Sequence, residues 1–264
     1  MLKISNPDKI LFAELGITKL DVAEYYQKIA LSLMPYIRGR RLSLVVCPQG
    51  ASKPCHYRKN ASEGVVLDPI TNVDDLLVHV QNNTLEFHAW GSTIENIEKP
   101  DIMVFDLDPD EGMDLTQVRR GVKDIKSVLD ELGLISFLKT SGNKGYHVVV
   151  PVKPVADWNK VRAFAKSIAI VMEKKWPSLY TSNVRKINRK GKIFIDWIRN
   201  VRGATSIVPY SIRAKSAGVS MPIAWRELGY IAPYGISMDE ALKRTTRADP
   251  WKDFWNAQKG QWIN

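Results

Sequence analysis

The chain has 264 residues, 45% of them apolar and 25% charged, which excludes a disordered or fibrous polymer and allows one large domain or two closely packed modules. With 38 Lys and Arg against 28 Asp and Glu the formal net charge is +10, an excess that favours a polyanionic partner, most often nucleic acid. No apolar run reaches membrane-spanning length and the opening M-L-K-I-S-N-P has no signal-peptide core, so a cytoplasmic, nucleoid-associated protein with no membrane partner is expected. Cys47 and Cys55 make neither a disulfide framework nor a four-ligand zinc site, and reduced thiols are the expectation.

Residues 1–16 read as an irregular arm with a turn at Asn6-Pro7-Asp8. Thr18 is placed as an N-cap, with Asp21 in the capping-box position, ahead of a helix through about Met34 that Pro35 and Gly39 end. Leu42–Cys47 reads as a strand, Pro48–Lys59 as a loop rich in turn formers, and Leu85–Ala89 as a strand carrying His88. A strand over 102–108 is followed by a helix from about Leu115 to Leu132. Ile135–Thr140 and Tyr146–Val152 then flank S-G-N-K-G as a hairpin-like pair. A helix over roughly Asp157–Lys175 and a strand over Lys192–Ile198 complete an α+β sheet with its helices on one face. The Trp-rich tail from Trp225 is expected to pack back on the body.

The central stretch is Ile102–Gly112, I-M-V-F-D-L-D-P-D-E-G. Residues two apart on a strand share a face, so Asp106 and Asp108 project side by side and repel unless a cation lies between them or one is protonated. Metal-dependent phosphoryl transfer uses that arrangement, but a solvated turn or the cap of the next helix accounts for the motif alone equally well. Asp196 ends another apolar strand in K-I-F-I-D-W-I, and convergence of the three acids would favour the metal. In Thr140–His147 two glycines let backbone N–H groups approach a phosphate, with Ser141 and Lys144 as donors, without P-loop spacing. A Gly-containing β-turn remains the plain alternative. Arg199, Arg202 and Arg213 suit phosphates through bidentate contacts, or form a solvated face.

Taken in order, F-D-L-D-P, S-G-N-K-G-Y-H and I-D-W-I-R-N followed by P-Y-S-I-R resemble the polymerase domain of bacterial DNA ligase D, in the archaeo-eukaryotic primase superfamily. The likeness begins at N-P-D-K-I-L-F and T-K-L-D-V-A-E-Y-Y, passes through L-E-F-H-A-W-G-S and ends near D-P-W-K-D-F. It implies an α+β primase-polymerase fold: an RRM-like antiparallel catalytic sheet with helices on one face, packed with a second, N-terminal α/β module. A single domain over 1–264 is expected, divided into an N-terminal module at 1–100, a catalytic module at 101–215 and a tail at 216–264.

By resemblance, Asp106, Asp108 and Asp196 are the catalytic and metal-binding carboxylates. Ser141, Lys144 and His147, with His88 and Arg213 beside them, match the site of the incoming nucleotide's phosphates. Asn6, Lys9 and Lys19 match a pocket for a DNA 5′-phosphate, where ammonium groups suit a compact dianion. His56-Tyr57 stands where relatives carry paired phenylalanines stacking on the template, with Tyr57 the better platform. The implied activity is a template-directed nucleotidyltransferase that extends 3′ ends and fills short gaps at double-strand breaks in non-homologous end joining, preferring ribonucleotides. Its implied requirements are two divalent ions, Mn2+ or Mg2+, NTP or dNTP, broken or gapped DNA with a 5′-phosphate, a DNA ligase and Ku. A primase starting RNA primers de novo and a non-catalytic DNA-end bridge are the rival readings.

Overall fold

The computed structural model describes residues 3–59, 69–261 and 263. In chain order the strands are β1 (Ile10–Phe12), β2 (Ile17–Thr18), β3 (Arg40–Val46), β4 (His56–Lys59), β5 (Thr84–Thr93), β6 (Ile102–Pro109), β7 (Phe137–Thr140), β8 (Tyr146–Pro151), β9 (Tyr180–Thr181), β10 (Ile193–Asp196), β11 (Thr205–Ile207) and β12 (Pro222–Ile223). The helices are α1 (Lys19–Ile37), α2 (Val73–Gln81), α3 (Leu115–Glu131), α4 (Trp158–Lys175), α5 (Met238–Thr245) and α6 (Phe254–Gly260).

The larger sheet runs β12-β7-β8-β6-β10-β9, antiparallel except where β10 lies parallel to β9. Its middle strand β6 alternates as the sequence implies: Met103, Phe105 and Leu107 are fully buried, while Asp106 and Asp108 share the opposite face. Helices α3 and α4 pack on this sheet, and α3 approaches closely enough that a Cβ on Gly121 would lie 2.9 Å from Leu107. The second sheet runs β11-β5-β3-β4 and is wholly antiparallel. Against it α1 buries Val22, Tyr25, Tyr26, Ile29 and Leu33, the i, i+3, i+4 stripe of an amphipathic helix.

The two sheets are tied at their junction. Arg40 on β3 makes a bidentate ion pair with Asp101, at 2.6 and 2.7 Å, just ahead of β6, and both side chains are buried. The amide of Asp101 bonds to the carbonyl of Gly91 on β5 at 2.7 Å, an approach only glycine permits, because a Cβ there would meet the Ile102 carbonyl oxygen at 2.5 Å. Strands β11 and β12, close in sequence, join different sheets, so residues 208–221 cross from one to the other. Tyr25 and Tyr26 of α1 bond to that crossing, at the Tyr210 carbonyl and the Ile212 amide.

Several expectations need correction. The helix beginning at the Thr18–Asp21 capping box does not stop at Met34; it runs through Pro35 to Ile37, because Tyr36 packs into Trp251, Phe254 and Trp255 and Ile37 is fully buried. The loop expected to reach Lys59 ends at Cys55, since His56–Lys59 pairs with β3. The arm over 1–16 contains β1, which pairs with β2. Cys47 and Cys55 are a disulfide, not reduced thiols: Val46 and His56 are partners in the β3–β4 ladder, and the cysteines occupy the next position out. Among the described residues no helix is long and apolar enough to cross a membrane.

Candidate active site

Asp196 lies directly opposite Asp106 in the β6–β10 ladder, so acids far apart in sequence meet across one pair of strands, with Asp108 two positions along the same face. Arginines occupy the cation positions around them. Arg199 reaches Asp196 at 3.1 Å and Asp106 at 3.4 Å, and Arg189 reaches Asp108 at 3.2 Å while lying 3.7 Å over the Phe194 ring. Burial pushes the Asp106 carboxyl up to about 6; Arg199 opposes that rise, and the charges of Asp196 and Asp108 add to it. Asp196 is also raised, first by burial, with Arg199 opposing.

Among the described residues no group of three or more His, Cys, Asp or Glu side chains is gathered as a finished metal-ligand set. The donor chemistry nevertheless fits a hard divalent cation: three carboxylates share one face, and one of them stays protonated to unusually high pH, chiefly through burial and then through the charges of the other two.

Between the two sheets, next to Asp106, opens a cavity of about 280 Å³ lined by Ser43, Tyr57, His88, Asp106, His147, Arg199, Thr205, Ser206, Ile207 and Arg213. His147 is the ladder partner of Asp106, and its Nε2 lies 3.7 Å from that carboxylate. Its Nδ1 is buried with no hydrogen-bond partner among the described residues, as is Ser43 Oγ on the opposite wall. Burial holds the His147 imidazole well below its usual range, and the charges of Lys139, Arg199 and Arg213 push the same way. A wall with four cationic or imidazole side chains, His88, His147, Arg199 and Arg213, against one carboxylate suits an anion such as a triphosphate.

Other expected residues fall elsewhere. Ser141 and Lys144 lie on the β7–β8 turn and do not line this cavity; Ser141 Oγ accepts from the Asn143 and Gly145 amides at 3.2 Å, and Lys144 is exposed. Gly142 takes a φ of +71°, and a Cβ there would meet the Gly218 carbonyl oxygen at 2.8 Å. His56 and Tyr57 are consecutive on β4 and face opposite ways; Tyr57, 65% exposed with its ring 6.4 Å from His88, is the one on the cavity. Arg202 is apart from Arg199 and Arg213, bonded at the surface to Glu98 at 2.6 Å.

Asn6, Lys9 and Lys19 come together. The Lys9 amide bonds to the Asn6 carbonyl at 3.1 Å and the Lys19 amide to the Lys9 carbonyl at 2.8 Å. Lys9 Nζ donates to Asn83 Oδ1 at 3.1 Å and to the Pro48 carbonyl, and Lys19 Nζ to the Ser5 carbonyl at 2.8 Å. Both ammonium groups thus rest on neutral oxygens. Burial and then the charge of Lys9 hold Lys19 below the usual lysine range.

Sequence reasoning missed Glu86, Arg189 and Asn200. Asn200 bonds both backbone groups of Val104, each at 2.8 Å, and so pins the turn carrying Arg199 to β6. Only Glu86 had a local signal, its i, i+2 spacing from His88; the other two contacts join residues about eighty or more positions apart.

The sequence matches the family described as LigD, primase-polymerase domain, over residues 18–68 and 65–251. The multifunctional non-homologous end joining protein LigD of Pseudomonas aeruginosa is 33% identical over 96% of this chain and 33% of its own length. The bifunctional LigD of Bacillus subtilis is 28% identical over 96% of this chain and 44% of its own. The chain therefore spans between a third and under half of the curated relatives it matches. The solved polymerase domain of Mycobacterium tuberculosis Ligase D, in complex with DNA, superposes with a TM-score of 0.86 at 28% identity, covering 96% of this chain and 98% of that one.

Proposed function

Because the chain belongs to the LigD primase-polymerase family, a family of DNA-directed nucleotidyltransferases, we propose that it adds nucleotides to 3′ ends at DNA breaks and short gaps in non-homologous end joining, copying a template strand. The observation that carries this reading is the placement of Asp106 opposite Asp196, with Asp108 on the same face, at the edge of a cationic cavity. Asp106, Asp108 and Asp196 would hold Mn2+ or Mg2+, which supplies the charge that acidifies a primer 3′-hydroxyl and neutralises a triphosphate.

The chain's own side chains account for the rest. His88, His147, Arg199 and Arg213 hold the phosphates, with the Ser141–Lys144 turn contributing from the end of the β7–β8 pair. Tyr57 offers an exposed ring to a base, and Lys9 and Lys19 with Asn6 receive the 5′-phosphate across the gap. A preference for ribonucleotides is supported by Ser43, whose buried hydroxyl, unpaired among the described residues, faces the cavity and matches a sugar hydroxyl better than a hydrogen. Residues 1–100 serve as the DNA-end module, 101–215 as the catalytic module and 216–264 as the covering tail, with a DNA ligase and Ku as partners.

Primer extension on gapped DNA with Mn2+ tests the core of this. Asp106→Ala abolishes nucleotide addition; addition at the original rate removes the assigned role. Ser43→Ala lowers the ratio of NTP to dNTP use, and an unchanged ratio withdraws Ser43 as the sugar contact.

A further inference from the structure

Glu86 lies two positions before His88 on β5 and therefore on the same face, yet it does not line the cavity. It stands behind the wall, 5% exposed, and both its oxygens are engaged. Oε2 accepts from His88 Nε2 at 2.8 Å and from Arg213 Nη1 at 3.1 Å, and Oε1 accepts from the Ala214 amide at 2.8 Å.

Burial pushes this carboxyl up, but the bond from His88 and the charge of Arg213 outweigh it and leave Glu86 below the usual range. An ionised carboxylate only accepts, so His88 carries its proton on Nε2 and both its tautomer and ring plane are set. Arg213 belongs to an irregular segment, just after the isolated Ile212–Val219 bridge and before Ala217 at φ +54°. Nothing in regular structure aims its guanidinium. Glu86, on a central strand, ties that segment down through both the Arg213 side chain and the Ala214 backbone.

We propose that Glu86 is a positioning residue for the triphosphate of the incoming nucleotide, directing Arg213 and His88 into the cavity from behind. This rests on the reading of the cavity as the nucleotide site. Two effects of removing its charge oppose each other. Loss of a negative charge strengthens the cavity's attraction for phosphate, whereas loss of aim weakens the contacts made there, and charge-assisted bonds depend steeply on geometry.

The test is equilibrium binding of ATP with Mn2+ to the full chain by calorimetry, alongside steady-state primer extension, for wild type, Glu86→Gln, Glu86→Asp, Arg213→Ala and the Glu86→Gln/Arg213→Ala double variant. Glu86→Gln weakens ATP binding and raises the nucleotide KM by about ten-fold or more, the loss expected for a misdirected charged hydrogen bond, while kcat stays within about three-fold. The double variant binds no more than about three-fold worse than Arg213→Ala, because the two act as one unit. Unchanged or tighter binding by Glu86→Gln overturns the proposal, as do fully additive losses. Should Glu86→Gln not fold, Glu86→Asp decides, since a carboxylate one methylene short must still lose affinity. Wild type that binds no ATP withdraws the nucleotide-site reading itself, an outcome distinct from wild type and Glu86→Gln binding alike.

Discussion

Asp106→Asn should stabilise the metal-free protein while destroying its activity. In the folded chain the Asp106 carboxyl is held at about 6, against 3.8 when unfolded, chiefly by burial. Between those values the folded chain keeps a proton that the unfolded chain has released. Stability therefore falls as pH rises through this window and stays reduced above it. The rise corresponds to about 3 kcal/mol at pH 7.5. Asparagine resembles the protonated acid and removes that cost, while Arg199 keeps its 3.1 Å contact with Asp196. At about 2–4 °C per kcal/mol for a chain of this size, the variant should melt about 6–12 °C above wild type at pH 7.5 in EDTA, and close to it at pH 4. Thermal melts across pH 4–8 measure this directly. Adding Mn2+ should narrow the gap from the wild-type side, because a ligand that binds only the folded state stabilises it. A variant melting at or below wild type at pH 7.5 without metal would refute the reasoning, since the acids would then not be under electrostatic load.

Asp101→Ala leaves the Arg40 guanidinium buried and unpaired and should cost about 3–5 kcal/mol in urea denaturation, whereas Arg40→Met with Asp101→Leu should recover most of it. Reducing the Cys47–Cys55 bond, which closes a loop of sequence separation 8, should lower stability by about 2–3 kcal/mol on the chain-entropy argument, read as a shift in the denaturation midpoint with dithiothreitol. Lys9→Ala with Lys19→Ala should weaken binding to a 5′-phosphorylated gap by about ten-fold or more and the unphosphorylated gap much less; equal losses would reduce the pocket to general electrostatics.

The larger sheet was legible because its strands announce themselves by period. Met103, Phe105 and Leu107 alternate with Asp106 and Asp108, and Asp196 closes a second apolar run. The Thr18–Asp21 capping box was equally plain. What was hidden is non-local. His56–Lys59 becomes a strand only through its ladder with Ser43–Val46, and the turn formers before it, Pro48, Gly50 and Pro54, masked it. Strands as short as Pro222–Ile223 carry no periodicity at all. Pro35 stood as a helix end, yet burial of Tyr36 and Ile37 against the C-terminal aromatic residues overrides that local preference. At the site, Asp106 and Asp196 could be named from their strands, but Arg189, which pairs with Asp108, and Asn200, which pins β6 through Val104, depend on how distant segments meet.

The crossing of residues 208–221 from one sheet to the other, anchored by the two adjacent tyrosines of α1, makes the jaws of this molecule a single casting. A swing of one wall against the other would strain the hydrogen bonds at Tyr210 and Ile212. Incoming nucleotides would meet a slot of set width, with adjustment confined to side chains at its mouth such as Arg199 and Tyr57. Little ordering entropy is then left to be lost on binding, which favours capture of a small charged molecule.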